Sequence, residues 1–463
     1  MKKILFSIFT LITILSFSDS YSQLPNQNMY LLKNLNQHPS TTLYSAIWGY
    51  SAPNGREYAL LGCATGTAFI DITDTLNIRE VDFQTGPQSS WREMKTYSHY
   101  AYIVSEASNS QVQIIDLQYL PDSVHFVKKF IAPNHTTTHS ISQSGPYLYL
   151  NGANNSFVGN QGIAILDLSI DPENPVLKGK WTSLYVHDCR VVDDTIYAAN
   201  IFDGKVSIIN ATNKSALSTV VTFNNLVGGG PHNTALTTDR KRLFVTDEIG
   251  DPPYLLKIWN IENKSNPVYV RNWQPTAITQ SIVHNLEIYG NYALIAHYSA
   301  GVRLVNITNP DAPVEIAWYD TYPSNNNESY NGCWGVYLFP SGKIVASDRQ
   351  TGFYVLKTNF PITGIGHNNI NTIPKTYNLK QNKPNPFNPA TSIKFDLPEN
   401  AFVKLRVYDI SGRLVANLIN ELKTAGSYDY NFDAGNFGLS SGIYFYTLSS
   451  DNFVETKKMV LLK

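Results

Sequence analysis

Apolar runs too short for helices dominate this chain, and the residues between them are those that turn a backbone. One stretch shows the pattern. His284-Asn285-Leu286-Glu287-Ile288-Tyr289 predicts a strand, Gly290-Asn291 a hairpin turn, and Tyr292 to His297 a second strand. Ser299-Ala300-Gly301 turns the chain again and Val302 to Asn306 predicts a third strand. Thr308-Asn309-Pro310 then breaks the run, and Val314 to Tyr319 predicts a fourth. Apolar residues fall on both faces of these strands, as in a sheet covered on two sides.

The same grammar recurs along the chain. A His or Trp opens each stretch at Trp48, Trp91, His139, His187, His232, His284 and Trp334, and successive openers stand 43 to 52 residues apart. An Asp or Asn ends a later strand at Asp71, Asp116, Asp167, Asn210, Asn260 and Asn306, with Lys357 in the seventh place. A repeat of roughly 40–50 residues made only of short strands predicts a β-propeller with one blade per repeat, here seven. The closers predict turn chemistry, because a short polar side chain can bond nearby backbone where a strand ends.

The seventh repeat is one strand short. Trp334 to Tyr337, Lys343 to Ser347 and Gly352 to Lys357 supply three, while Met29 to Leu35 is a strand-like segment without a blade. Pairing the two closes the ring and covers an edge that would otherwise be exposed. The tail beyond the ring differs in kind. After a polar, Asn-rich linker, alternation in Val403-Lys404-Leu405-Arg406-Val407 predicts half-buried strands.

Composition narrows the partners. Net charge is −1 and charged residues make up only 15%, with no basic stripe, so nucleic acid is not an expected partner. Lys2 and Lys3 precede an apolar run from Ile4 to Leu15, and Ser20 and Ser22 suit cleavage before Gln23. That run is shorter than the roughly 20 residues of a spanning helix, so residues 1–22 read as an export signal. No transmembrane segment is expected in the mature chain. Cys63, Cys189 and Cys333 are too few for a disulfide framework, and small buried thiols are the simpler reading, although one bridge fits an oxidising compartment.

Two resemblances follow. Tyr58 to Gly62, Gly66 to Thr73, Trp91 to Lys95, Ile103 to Ala107, His284 to Leu286, Tyr298 to Asn306 and Trp334 to Tyr337 with Pro340-Ser341-Gly342 resemble the choice-of-anchor B family, from about Leu43 to Leu356. That resemblance implies an extracellular propeller of LVIVD-type repeats and carries no catalytic residues. Asn382 to Pro389, Ile393 to Phe395, Leu405 to Asp409, Ala425 to Tyr428, Leu439 to Phe445 and Lys457 to Lys463 resemble the C-terminal sorting domain of type IX secretion substrates. It implies a small antiparallel β-sandwich, recognition by the type IX secretion machinery, and release or attachment at the cell surface. The expected organisation is a signal peptide at 1–22, a propeller at 23–358, a linker at 359–376 and a sorting domain at 377–463.

The openers are the candidate chemistry. Repeating in register, they should gather at one end of the innermost strands and line the mouth of the central channel. His139, His187, His232 and His284 are the candidate metal ligands, since imidazole suits zinc, copper or nickel. Glu93, Glu106, Asp188, Asp247, Glu248 and Asp348 are the acids within sequence reach. Periodic placement favours blade markers that bond neighbouring turns, because a metal site needs only three or four converging ligands. His135-Thr136-Thr137-Thr138-His139 has chelating spacing only on a helix, which three Thr in a strand context oppose. No cofactor and no catalytic residue is assigned. The expected role is a non-enzymatic binding or display module for an extracellular protein, peptide or glycan. The alternative is a secreted hydrolase or lyase, metal-dependent or not, working at the His-lined mouth.

Overall fold

The computed structural model describes residues 26–39, 43–226, 229–276, 278–362, 374, 376–398, 401–423, 426–450 and 453–462. The expected signal peptide and most of the expected linker lie outside the described residues.

The described chain is all-β apart from three short 3-10 turns. Residues 26–358 form seven antiparallel sheets. Their first strands are Ile47–Ser51, Arg92–Tyr97, Ser140–Ser144, Asp188–Val192, Gly230–Leu236, Leu286–Tyr289 and Cys333–Leu338. Each first strand lies beside the first strand of the next sheet, and Cys333–Leu338 returns to Ile47–Ser51, so the sheets close in a ring. Within the first sheet the three inner strands are buried almost throughout, while the fourth, Arg79–Thr85, is mostly half-buried. Inner strands are covered by neighbours on both faces, whereas sheets radiating from an axis diverge at their outer edges.

The last sheet takes its fourth strand from the start of the chain, as the sequence predicts. Met29–Leu35 pairs antiparallel with Gly352–Thr358, from Met29 opposite Thr358 to Leu35 opposite Phe353. A second closure was not foreseen: Asn26–Gln27 adds to the outer strand Val314–Tyr319 of the sixth sheet. Every fourth strand carries one extra residue against its third: Val81, Val127, Lys178, Val220, Val270, Ile316 and, in the borrowed strand, Leu32. A bulge sharpens local twist and bends the bulged strand. The borrowed strand therefore repeats the geometry of the six fourth strands that are continuous with their own sheets.

Turn chemistry at the closers is uniform. The side-chain oxygens of Asp71, Asp116, Asp167, Asn210, Asn260 and Asn306 each accept the backbone N–H two residues on, at 2.8–2.9 Å. Between the last sheet and the first, buried Lys343 donates to Glu57 at 3.0 Å and to the carbonyls of Ile72 and Thr73 at 2.6 and 3.0 Å. All three cysteines are free and buried.

In the tail, Asn378–Leu379, Ala390–Leu397 and Gly426–Asp433 form one sheet. Leu414–Lys423, Ala401–Asp409, Gly442–Ser450 and Phe453–Leu461 form another. The expected alternation is present: Val403, Leu405 and Val407 are buried and share a core with Ile393, Phe395 and Phe432 of the first sheet.

Candidate functional site

Six of the seven openers meet. Their rings form an arc in which Trp91 lies 6.4 Å from Trp334, Trp334 4.7 Å from His284, and His284 4.0 Å from His232. The arc continues with His232 4.4 Å from His187 and His187 4.0 Å from His139. The backbone fixes this level: the N–H groups of His139, His187 and His284 bond the second strands of their sheets at Asn151, Ala199 and Ala296.

Trp48 is not with them, contrary to expectation. It lies deeper, its indole N–H on Thr96 at 3.3 Å and its ring 5.0 Å from Tyr337, with the Lys95 ammonium over its face. From the first sheet Ala46 lines the space shared by the six openers, while the N–H that bonds the second strand as theirs do is that of Ser45, at Gly62. A strand advances about 3.3 Å per residue, so two residues displace a side chain by one layer on the same face.

The arc also holds a bond from one opener to the backbone of the next, His284 Nδ1 lying 2.5 Å from the Trp334 carbonyl. His187, His232 and His284 converge on Glu248, with Nε2 to carboxylate separations of 4.0, 3.4 and 3.4 Å. Glu248 belongs to Arg242–Ile249, where Gly230 pairs with Ile249 and Pro231 with Asp247, leaving Glu248 as the extra residue of a bulge. Bulges re-aim side chains, and here the turn brings an acid under the imidazoles. Tyr298 donates its hydroxyl to Glu248 at 2.7 Å from a backbone held at φ +22°. His139 stands apart, its Nδ1 2.6 Å from Glu106. His135 bonds Thr138 at 2.9 Å, and no helix joins it to His139.

The electrostatics separate the rings. Burial, then the charge of neighbouring imidazoles, holds His187 and His284 well below the ordinary histidine range. Burial also lowers His232, although Glu248 opposes it. Burial disfavours charge on His139 too, but Glu106 outweighs it and raises that ring. For His284 the tautomer follows from geometry. Its Nδ1–H donates to the Trp334 carbonyl at 2.5 Å, so in the neutral ring Nε2 is a bare acceptor facing Glu248 with no hydrogen-bond partner.

Above the arc opens a cavity of about 500 Å³, lined by Trp91, Glu106, His139, Tyr185, His187, Phe202, Glu248, Tyr298, Tyr330 and Arg349 among others. Trp91, Phe202 and Tyr330 are exposed at its rim. Sequence reading missed Tyr185, Phe202, Tyr298, Tyr330 and Arg349; these lie on connections, which carry no repeat signal. Below the arc the channel is filled by charge pairs, Glu93 with Lys95 at 2.8 Å and Arg190 with Glu287 at 2.9 Å. Buried Asp188 there, beside Glu93, is pushed up to about 6. Asp247 pairs with buried Lys257 at 2.7 Å, and Asp348 bonds Thr321 and the turn at Gln350, so neither joins the site.

Residues 384–462 match the family profile of the secretion system C-terminal sorting domain. The tail is a type IX sorting domain. It marks the chain for secretion or surface attachment and implies contact with the secretion machinery. Residues 282–321, which span the sixth sheet, match the LVIVD repeat. No curated protein matches the chain. Among solved structures, a protein described as a 6-phosphogluconolactonase from Bacteroides uniformis ATCC 8492 aligns with a TM-score of 0.51 and 10% identity, over 70% of this chain and 95% of that one. A Lactobacillus plantarum protein aligns with a TM-score of 0.49 and 11% identity, over 80% and 96%. At 10% identity the likeness to the first of these is one of fold alone, and that fold is β-propeller-like. Among the described residues no helix is long and apolar enough to cross a membrane.

Proposed function

We propose that the chain is a seven-bladed, exported binding module whose ligand enters the aromatic-rimmed cavity at the channel mouth. The observation that carries this reading is the cavity itself. It holds about 500 Å³, within the 300–1,000 Å³ range usual for ligand pockets, and combines exposed Trp91, Phe202 and Tyr330 with the charged groups of Glu106 and Arg349. Flat aromatic faces beside charged groups suit a sugar ring, which offers an apolar C–H face and polar edges. A ring of sheets supplies a rigid frame on which connecting loops present these groups. Delivery outside the cell by the sorting domain places the cavity where glycans and shed peptides are encountered.

The test is binding of the full exported chain to glycan and peptide arrays, repeated with Trp91→Ala and Phe202→Ala. The expected result is glycan binding weakened at least about tenfold by each substitution, since aromatic anchors dominate such sites. Absence of binding on both arrays, or binding untouched by both substitutions, overturns the reading. A second reading, a secreted hydrolase or lyase, draws on the convergence of three imidazoles and one carboxylate. Turnover of a bound glycan by the wild-type chain would replace the first reading with the second.

A further inference from the structure

We propose that His187, His232, His284 and Glu248 form a site for one divalent transition-metal ion of zinc's coordination preference. This deepens the binding reading by naming what lies at the cavity floor, but it stands on different residues from the aromatic rim.

The donor spacings carry the proposal. Two ligands on one tetrahedral zinc, each about 2.0–2.1 Å from the ion, stand roughly 3.3 Å apart. Nε2 of His232 and of His284 lie 3.4 Å from Oε2 and Oε1 of Glu248, and His187 follows at 4.0 Å. All three are long for hydrogen bonds, whose N···O distances cluster near 2.9 Å; the two at 3.4 Å fit donors that share a cation, and His187 would have to move inward to join them. His187, His232 and Glu248 bring one ligand atom each within 4.8 Å of one another; His284 falls outside that group and faces the other carboxylate oxygen, Oε1, as the fourth donor.

The direction of the lone pairs agrees. Nδ1–H of His284 is committed to the Trp334 carbonyl, so its free acceptor faces a carboxylate oxygen, an acceptor too. Two buried acceptors face to face are costly unless a cation lies between them. A single proton relieves one such pair, whereas three rings within 4.0–4.4 Å of their neighbours crowd the same carboxylate. The surroundings resemble the outer shell of a metal site: a carbonyl fixes the His284 ring and the Tyr298 hydroxyl fixes Glu248. Three nitrogen donors favour zinc, copper or nickel over magnesium or calcium, which prefer all-oxygen shells. Four protein donors fill a tetrahedral shell, so a ligand in the cavity reaches the ion only by displacing one of them, and His187 is the most distant.

The experiment uses the full exported chain, stripped with a chelator and titrated with Zn²⁺ or Co²⁺. The expected result is about one zinc retained per chain after gel filtration, and cobalt absorption bands of tetrahedral intensity. His232→Ala and Glu248→Gln should each bind zinc at least about tenfold more weakly, since removing one ligand of a small donor set costs that much or more. His125→Ala, an exposed histidine on an outer strand, should bind as the wild type. If His232→Ala fails to fold, Glu248→Gln, which keeps the side-chain volume, and the wild-type cobalt spectrum decide. No retained zinc, a weak octahedral cobalt spectrum, or an unchanged zinc affinity in folded Glu248→Gln overturns the proposal. Glycan binding without zinc refutes the metal alone, and zinc without any ligand binding refutes the binding reading alone.

Discussion

Replacing Lys343 with methionine tests how the ring is held shut. The Lys343 ammonium makes three contacts across the junction of the last and first sheets, to Glu57 at 3.0 Å and to the carbonyls of Ile72 and Thr73 at 2.6 and 3.0 Å. Both charged side chains are only 7% exposed, so water does not screen the pair. Lys343→Met keeps the aliphatic stem and removes the charge, leaving a buried carboxylate whose remaining described donors are the N–H and hydroxyl of Ser341, at 3.1 and 2.6 Å. Removing one partner of a buried pair costs about 3–5 kcal/mol, and the two Ser341 bonds argue for the lower end. The assay is urea denaturation followed by tryptophan fluorescence. All 7 tryptophans lie between Trp48 and Trp334, so the signal reports the ring and not the tail. Adding Glu57→Gln should recover roughly 1–2 kcal/mol, because the unpaired charge is then gone. A loss below about 1 kcal/mol for Lys343→Met, the range of solvated surface pairs, would refute the latch.

Two further outcomes are expected. His135 is buried against Phe157, and burial, then the Lys180 charge, pushes it down to about 4. The neutral ring belongs to the fold while the unfolded chain takes up a proton below about 6.5, so stability is lost as pH falls from about 6.5 to 4, by about 3 kcal/mol in all. His135→Gln, measured by denaturation across that range, should flatten the slope relative to wild type; an unchanged slope would exclude His135 as its source. Deleting residues 377–463 should leave the chain in the periplasm, as read by fractionation, and normal delivery outside the cell would contradict the role of the tail.

Much of the fold was legible because it is periodic. The six Asp and Asn closers each bond the backbone two residues on, a local act that depends only on a short side chain and a strand end. The missing fourth strand of the last sheet was legible by counting, and Met29–Leu35 fills it. The site was legible only in part. Periodicity located Trp91, His139, His187, His232, His284 and Trp334, but it misplaced Trp48, because a two-residue offset preserves the face of a strand while changing the layer.

The sequence by itself determined what local chemistry and repetition can encode: short strands, their turns, the ring-closing strand and the sorting tail. Tertiary structure decided which of those residues meet. Glu248 was one of six candidate acids, and a bulge in the Arg242–Ile249 strand turned it under three imidazoles. Tyr298, fifty residues further on, then fixed it with a hydroxyl. Convergence of side chains from three different sheets depends on strand register and on the ring's closure, and neither is written in any local run of residues.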